Sequence, residues 1–200
     1  MKTFFFGEDQ LTSDLALQIA KNKINCEIGK LAKINIQRSR KYTLDIANSE
    51  RTVYGINTGF GPLCDTKISK EKIKLLQENI LKSHSVGVGP LVPDLIVKLM
   101  LITKVHALSM GYSGISLEVL EHILFFIHNE IIPEVPAQGS VGASGDLAPL
   151  AHLFLPIIGL GKVKINGTTI SASKIHTLYN LKPVTLGAKE GLALINGTQF

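Results

Sequence analysis

Ala143-Ser144-Gly145 is a tripeptide from which a chain can build an electrophile out of its own backbone. Glycine has no Cβ, so the Gly145 amide nitrogen can close on a neighbouring carbonyl carbon. Ala143 is small enough to leave its carbonyl open to that attack, and Ser144 carries a hydroxyl that can leave as water. Cyclisation with loss of two waters would give a methylidene-imidazolone ring. Taken alone, Gly139–Gly145 is also a small-residue loop before a helix, with Asp146 as its N-cap and Pro149 in the first turn. Gly and Ser are ordinary turn residues, so the tripeptide by itself does not choose between the two readings.

Other chemistries find less support. Cys26 and Cys64 form no CxxC pair and no metal spacing, and they fit reduced thiols in a cytoplasmic protein. The six histidines make no HExxH and no i,i+4 pair; His122 and His128 flank an apolar run, which suits core or helix-surface roles better than ligation. The loop Gly55–Gly61 lacks the GK[ST] ending of a phosphate loop, so no nucleotide is expected, and its glycines fit a mobile lid over a substrate. The formal charge of +5 lies in the first 100 residues, which hold 15 Lys+Arg against 10 Asp+Glu, while the second 100 hold 6 of each. Only three of the 21 basic residues are Arg, so a solvated lysine face is expected rather than a nucleic-acid surface. Leu147–Gly161 is the longest apolar attempt and is too short for a membrane span, with Pro149, His152 and Pro156 inside it. The three phenylalanines near the N-terminus do not make a signal peptide.

The elements that must position the tripeptide are mostly helical. Thr3–Phe6 reads as a short strand. Helices are expected over Thr12–Asn22 and Glu27–Asn48, then over Ser69–Val86, where Ile73, Leu76, Ile80 and Leu81 make the buried stripe. Thr52–Ile56 is extended and leads into the Gly-rich loop. Pro93 opens a helix closed by Gly111, and Ser116 caps another that runs to Ile132 before Pro133. Helices over Asp146–Ile158, Ser171–Asn180 and Gly187–Ile195 complete the set. Asn166-Gly167 between two β-rich runs predicts a type I′ hairpin.

The longer run Gln138–His152, QGSVGASGDLAPLAH, resembles the signature of the aromatic amino acid ammonia-lyases, and within that family its histidine-deaminating branch. Three further segments resemble the same family in the same order: Tyr54–Gly61 (YGINTGFG), Ser83-His84 within LLQENILKSHSVGVG, and Asn196–Gln199 (NGTQ). The resemblance runs from about Thr3 to Phe200. It implies a mainly α fold: the helical N-terminal portion of an ammonia-lyase-like (fumarase/aspartase-like) architecture, with one small β-hairpin. It also implies that residues 1–200 are part of a larger domain truncated after Phe200, from an enzyme that assembles as a homotetramer.

The chemistry implied by the resemblance is deamination of L-histidine to trans-urocanate and ammonia. Ala143, Ser144 and Gly145 would form the ring autocatalytically, with no metal. Tyr54 is the implied base for the β-proton, a role that positive helix ends and nearby cations favour by stabilising phenolate. Ser83 and His84 are the implied readers of the substrate side chain; tyrosine-specific members resemble His-Leu here and phenylalanine-specific ones Phe-Leu. Asn196 would donate its amide N–H to the ring carbonyl oxygen, and it also suits a helix C-cap in the left-handed region. A tyrosine or phenylalanine ammonia-lyase, an aminomutase, or an inactive fragment of such an enzyme is the alternative.

Overall fold

The structure is a computed structural model and describes residues 2–200. Among the described residues there are eight α-helices and seven short strands in three small sheets. The first sheet pairs β1 (Thr3–Phe6) with β2 (Asn25–Ile28) in parallel across α1 (Ser13–Ala20), whose N-cap Thr12 accepts from Leu15 N. The expected helix over Glu27–Asn48 therefore begins later: α2 spans Lys30–Asn48, because Cys26 and Ile28 are taken into pairing with Phe4 and Phe6.

α3 (Lys70–His84) buries Ile73, Ile80 and Leu81 as expected, with Gln77 on the same stripe. α4 (Asp94–Ser109) starts after Pro93 and is the central helix, packed against α1, α2 and α5 (Leu117–His128). Ser116 caps α5 through its hydroxyl, but the helix stops at His128 instead of Ile132. The chain turns at Asn129-Glu130, where Glu130 takes φ +52°, and Ile132–Pro133 (β4) joins a sheet. That sheet has the order β4–β6–β7, with β6 (Lys162–Ile165) and β7 (Thr168–Ser171) forming the predicted hairpin. Asn166 and Gly167 have φ +48° and +76°, the signs a type I′ turn requires.

The remaining elements surround the tripeptide. β3 (Val88–Leu91) pairs antiparallel with β5 (Pro136–Gln138), so the exit from α3 lies beside the entry to the Ala143–Gly145 loop. α6 (Leu147–Phe154) runs on as a 3₁₀ turn through Ile158 and packs against α3 and α8 (Glu190–Ile195). α7 (Ala172–Leu178) follows the hairpin. One continuous core includes Phe6, Ile36, Met100, Leu120, Phe126, Leu150 and Phe154, and joins all these layers. No helix is long and apolar enough to cross a membrane among the described residues.

Candidate functional site

The tripeptide sits at the start of α6, with Ala143 and Ser144 exposed and Gly145 half-buried. Gly145 has φ +115°, and a Cβ there would lie 2.6 Å from the Gly197 carbonyl oxygen and 3.0 Å from the Gly197 nitrogen. Both facts require glycine: the backbone region is closed to other residues, and the space is already filled. The next amide, Asp146 N, donates to Gly197 O at 2.8 Å. The Asp146 side chain makes no capping bond to α6, contrary to expectation; its carboxylate instead accepts from Ser140 Oγ at 2.7 Å, which staples the loop across its base. The residues therefore fit the ring implied by the sequence: a glycine in a cradle that a Cβ would fill, beside a small and open Ala-Ser pair.

Ser83 and His84 face the same place. They line a cleft of about 330 Å³ together with Val86, Gly139, Val141, Ala143, Ser144, Gly145, Leu147 and Ala148. His84 Nδ1 lies 2.8 Å from the Ile80 carbonyl oxygen and 3.1 Å from Ser83 Oγ. A carbonyl can only accept, so Nδ1 carries the proton, and in the neutral ring Nε2 keeps a lone pair for a ligand. None of the ten lining residues is Lys or Arg.

Tyr54 is not among the residues lining this cleft. It is 56% exposed and meets Phe60 edge-on at 6.2 Å between ring centroids. Its loop is anchored more firmly than a lid. Residues 55–59 are buried, and Asn57 organises them by accepting from Val53 N at 2.8 Å and donating to Arg51 O at 2.8 Å. The exposed part begins at Gly61, where a short 3₁₀ turn, Gly61–Leu63, forms. A Cβ on Gly55 would strike Leu192 at 2.5 Å, so this loop is seated against α8.

Asn196 ends α8 with extended φ and ψ of −86° and 117°, so it is not the left-handed cap its Asn-Gly sequence allows. Its side chain is exposed, and its carbonyl accepts from the buried Lys104 Nζ at 2.6 Å. Asn196 thus stands beside the tripeptide through Gly197, while its exposed side-chain amide makes no hydrogen bond to Ala143–Gly145 among the described residues.

Several positioning groups were not singled out by sequence reasoning. Gln77 is fully buried on α3, and its Oε1 accepts from Gly191 N at 2.9 Å and Leu192 N at 3.3 Å, capping α8 from another helix. Arg40 and Glu190 make a buried pair at 3.3 Å; Glu190 also accepts from Ser116 N and Gly187 N, and Arg40 donates to the carbonyls of Gly114 and Ala188. His152 Nε2 accepts from Gly87 N at 3.0 Å, which demands an unprotonated nitrogen, and burial lowers its pKa in the same sense. The available signal was a polar residue placed on an apolar stripe: Gln77 four after Ile73, and Lys104 four after Met100. Cys26 is no nucleophile, since burial and then the Glu27 charge push its thiol up to about 12.

Comparison with known proteins adds to this geometry. The family model described as aromatic amino acid lyase matches residues 11–200. Among curated proteins, the chain is similar to the histidine ammonia-lyase of Shewanella oneidensis, 47% identical over 182 residues, covering 91% of this chain and 36% of that protein. Among solved structures, it is similar to histidine ammonia-lyase from Trypanosoma cruzi, with TM-score 0.89 and 37% identity, covering 100% of this chain and 38% of that one. The ergothioneine-degrading enzyme ergothionase of Treponema denticola superposes with TM-score 0.93 at 29% identity, over 99% of this chain and 40% of that one. The chain spans a little over a third of the length of the curated relatives it matches.

Proposed function

The chain belongs to the aromatic amino acid lyase family, and from that premise we propose that it forms part of the active site of a histidine ammonia-lyase, converting L-histidine to trans-urocanate and ammonia. The observation that carries this reading is the shared cleft, lined by Ser83 and His84 together with Ala143–Gly145. In the reaction the Cα–N bond breaks, a β-proton leaves, and the electron pair of that C–H bond becomes the new double bond, so no oxidant is needed. The methylidene-imidazolone formed from Ala143, Ser144 and Gly145 supplies an electrophilic carbon that engages the substrate.

The chain's own residues do the rest. His84, with Nδ1 fixed on Ile80 O, presents Nε2 to an imidazole N–H, and Ser83 beside it adds a second polar contact. Tyr54 is the base that takes the β-proton; its place outside the cleft, beside the anchored residues 55–59, fits a site to which another copy contributes it. Asn196 donates its amide to the ring carbonyl. Among the described residues no Lys or Arg lines the cleft, so a substrate carboxylate needs a partner from further chain or from another copy in a homotetramer. Exposed Leu31, Ile34, Tyr42 and Val141 fit such a covering. The isolated 200 residues are accordingly expected to have little or no lyase activity.

The test is an assay of the whole protein on L-histidine, L-tyrosine and L-phenylalanine. Urocanate formation, lost in Ser144→Ala, is expected; turnover of tyrosine with no urocanate would overturn the choice of substrate.

A further inference from the structure

Lys104 lies inside the molecule, 2% exposed, on a stripe of α4 otherwise made of Met100, Leu101, Val105 and Leu108. A buried ammonium is unfavourable unless something holds it. Among the described residues no carboxylate makes an ion pair with it. Its Nζ donates instead to the Asn196 carbonyl at 2.6 Å. Gly197 passes the same point: a Cβ on it would lie 3.1 Å from Lys104 Nζ and 2.1 Å from Gln199 Oε1, a buried acceptor without a hydrogen-bond partner among the described residues. From Gly197 the contact reaches the tripeptide, through Asp146 N on Gly197 O at 2.8 Å and the 2.6 Å approach to Gly145.

We propose that Lys104 is a positioning residue for ring formation: it holds the Asn196-Gly197 peptide as the fixed floor against which Gly145 and Asp146 are set. The inference rests on the ring-forming reading above. In closure, Gly145 N bonds to the Ala143 carbonyl carbon. The carbonyl oxygen leaves as water with the hydrogens of the Gly145 and Ser144 amides, and Ser144 N becomes doubly bonded to the same carbon. A second water takes the Ser144 hydroxyl and its α-hydrogen. Every step requires the Gly145 amide to face Ala143, and a floor that cannot shift restricts the loop to that arrangement. Burial lowers the Lys104 pKa to about 8, so the cation persists at neutral pH.

The experiment follows loss of two waters by intact mass after refolding of the full chain, with Lys104→Met, Lys104→Arg and Gly197→Ala beside the unmutated protein. Thermal unfolding confirms that each is folded. Lys104→Met is expected to mature roughly ten- to a hundredfold more slowly, the penalty for a misplacement near 1 Å, and Lys104→Arg to restore most of the rate. In Gly197→Ala the added Cβ meets Gln199 Oε1 and Lys104 Nζ, so the variant is expected to disturb the same contact and to be slow as well. A folded Lys104→Met that matures at the unmutated rate overturns the proposal; if that variant does not fold, a Gly197→Ala protein maturing at the unmutated rate overturns it. An unmutated chain that never loses water refutes the ring-forming reading itself.

Discussion

Gly191→Ala tests whether the contact between α3 and α8 sets the site. In an ordinary helix this change stabilises by about 0.5–1 kcal/mol, because glycine loses more backbone freedom on folding. Here the added Cβ would lie 2.5 Å from the Gln77 carbonyl oxygen and 2.7 Å from Ile80 Cγ2. The Gln77 oxygen is helix backbone and cannot rotate away, so the two helices must separate by several tenths of an ångström. Overpacking of this kind costs about 1–3 kcal/mol. Separation also stretches the bonds from Gly191 N and Leu192 N to Gln77 Oε1, each worth about 0.5–1.5 kcal/mol. The steric and hydrogen-bond losses exceed the propensity gain, for a net destabilisation of about 2–3 kcal/mol, or roughly 4–12 °C in Tm for a chain of this size. The same shift moves Ser83 and His84 relative to Asn196, so activity of the whole protein is expected to fall by more than the loss of stability explains. Urea unfolding and calorimetry measure the first effect. A Gly191→Ala protein as stable as its parent would refute the reasoning, because it would mean that the helices separate without penalty.

Acid weakens the fold. Burial, and then the nearby charge of His176, lower the His122 pKa from 6.5 to about 4. The unfolded chain binds that proton more tightly, so the contribution of neutral His122 is complete above about pH 6.5 and is lost as pH falls toward 4, by roughly 2–3 kcal/mol. His106 and His152 are lowered in the same direction. Urea midpoints at pH 7 and pH 5 should show the drop, and His122→Phe should flatten it; a midpoint that rises on acidification contradicts this account. Glu190→Ala leaves Arg40 without its anion and the amides of Ser116 and Gly187 without their acceptor. A loss of about 3–5 kcal/mol is expected by denaturant unfolding, and a loss below about 1 kcal/mol would mean that the pair behaves as a surface pair.

Features governed by local chemistry were legible in the sequence. The apolar period of α3, the Pro93 start, the Ser116 cap and the Asn166-Gly167 hairpin all depend on residues within a few positions of one another. Features decided by distant partners were not. Glu27-Ile28 read as the start of a helix because nothing local announces the parallel pairing of Asn25–Ile28 with Thr3–Phe6. The end of α5 was placed too late because Ile132–Pro133 is claimed by Val163 and Lys164. For the site, the grouping of Ser83 and His84 with Ala143–Gly145 followed from motif order, and the structure places them in one cleft. The supports of that cleft, Gln77, Lys104 and His152, are ordinary residues until their buried partners are known.

The cradle beneath Gly145 has a kinetic consequence. Its parts come from far along the chain: Gly87 bonds to His152 across 65 residues, and Lys104 reaches Asn196 across 92. Contacts that close such long loops pay their entropy before they gain stability, so they form late. Throughout synthesis and early collapse the tripeptide is therefore a plain, solvent-facing Ala-Ser-Gly, inert toward its own backbone. On the proposed reading the loop acquires its ring-forming shape only when Gly197 docks, so closure would be timed by the completion of folding, and no electrophile would be displayed on a half-made chain.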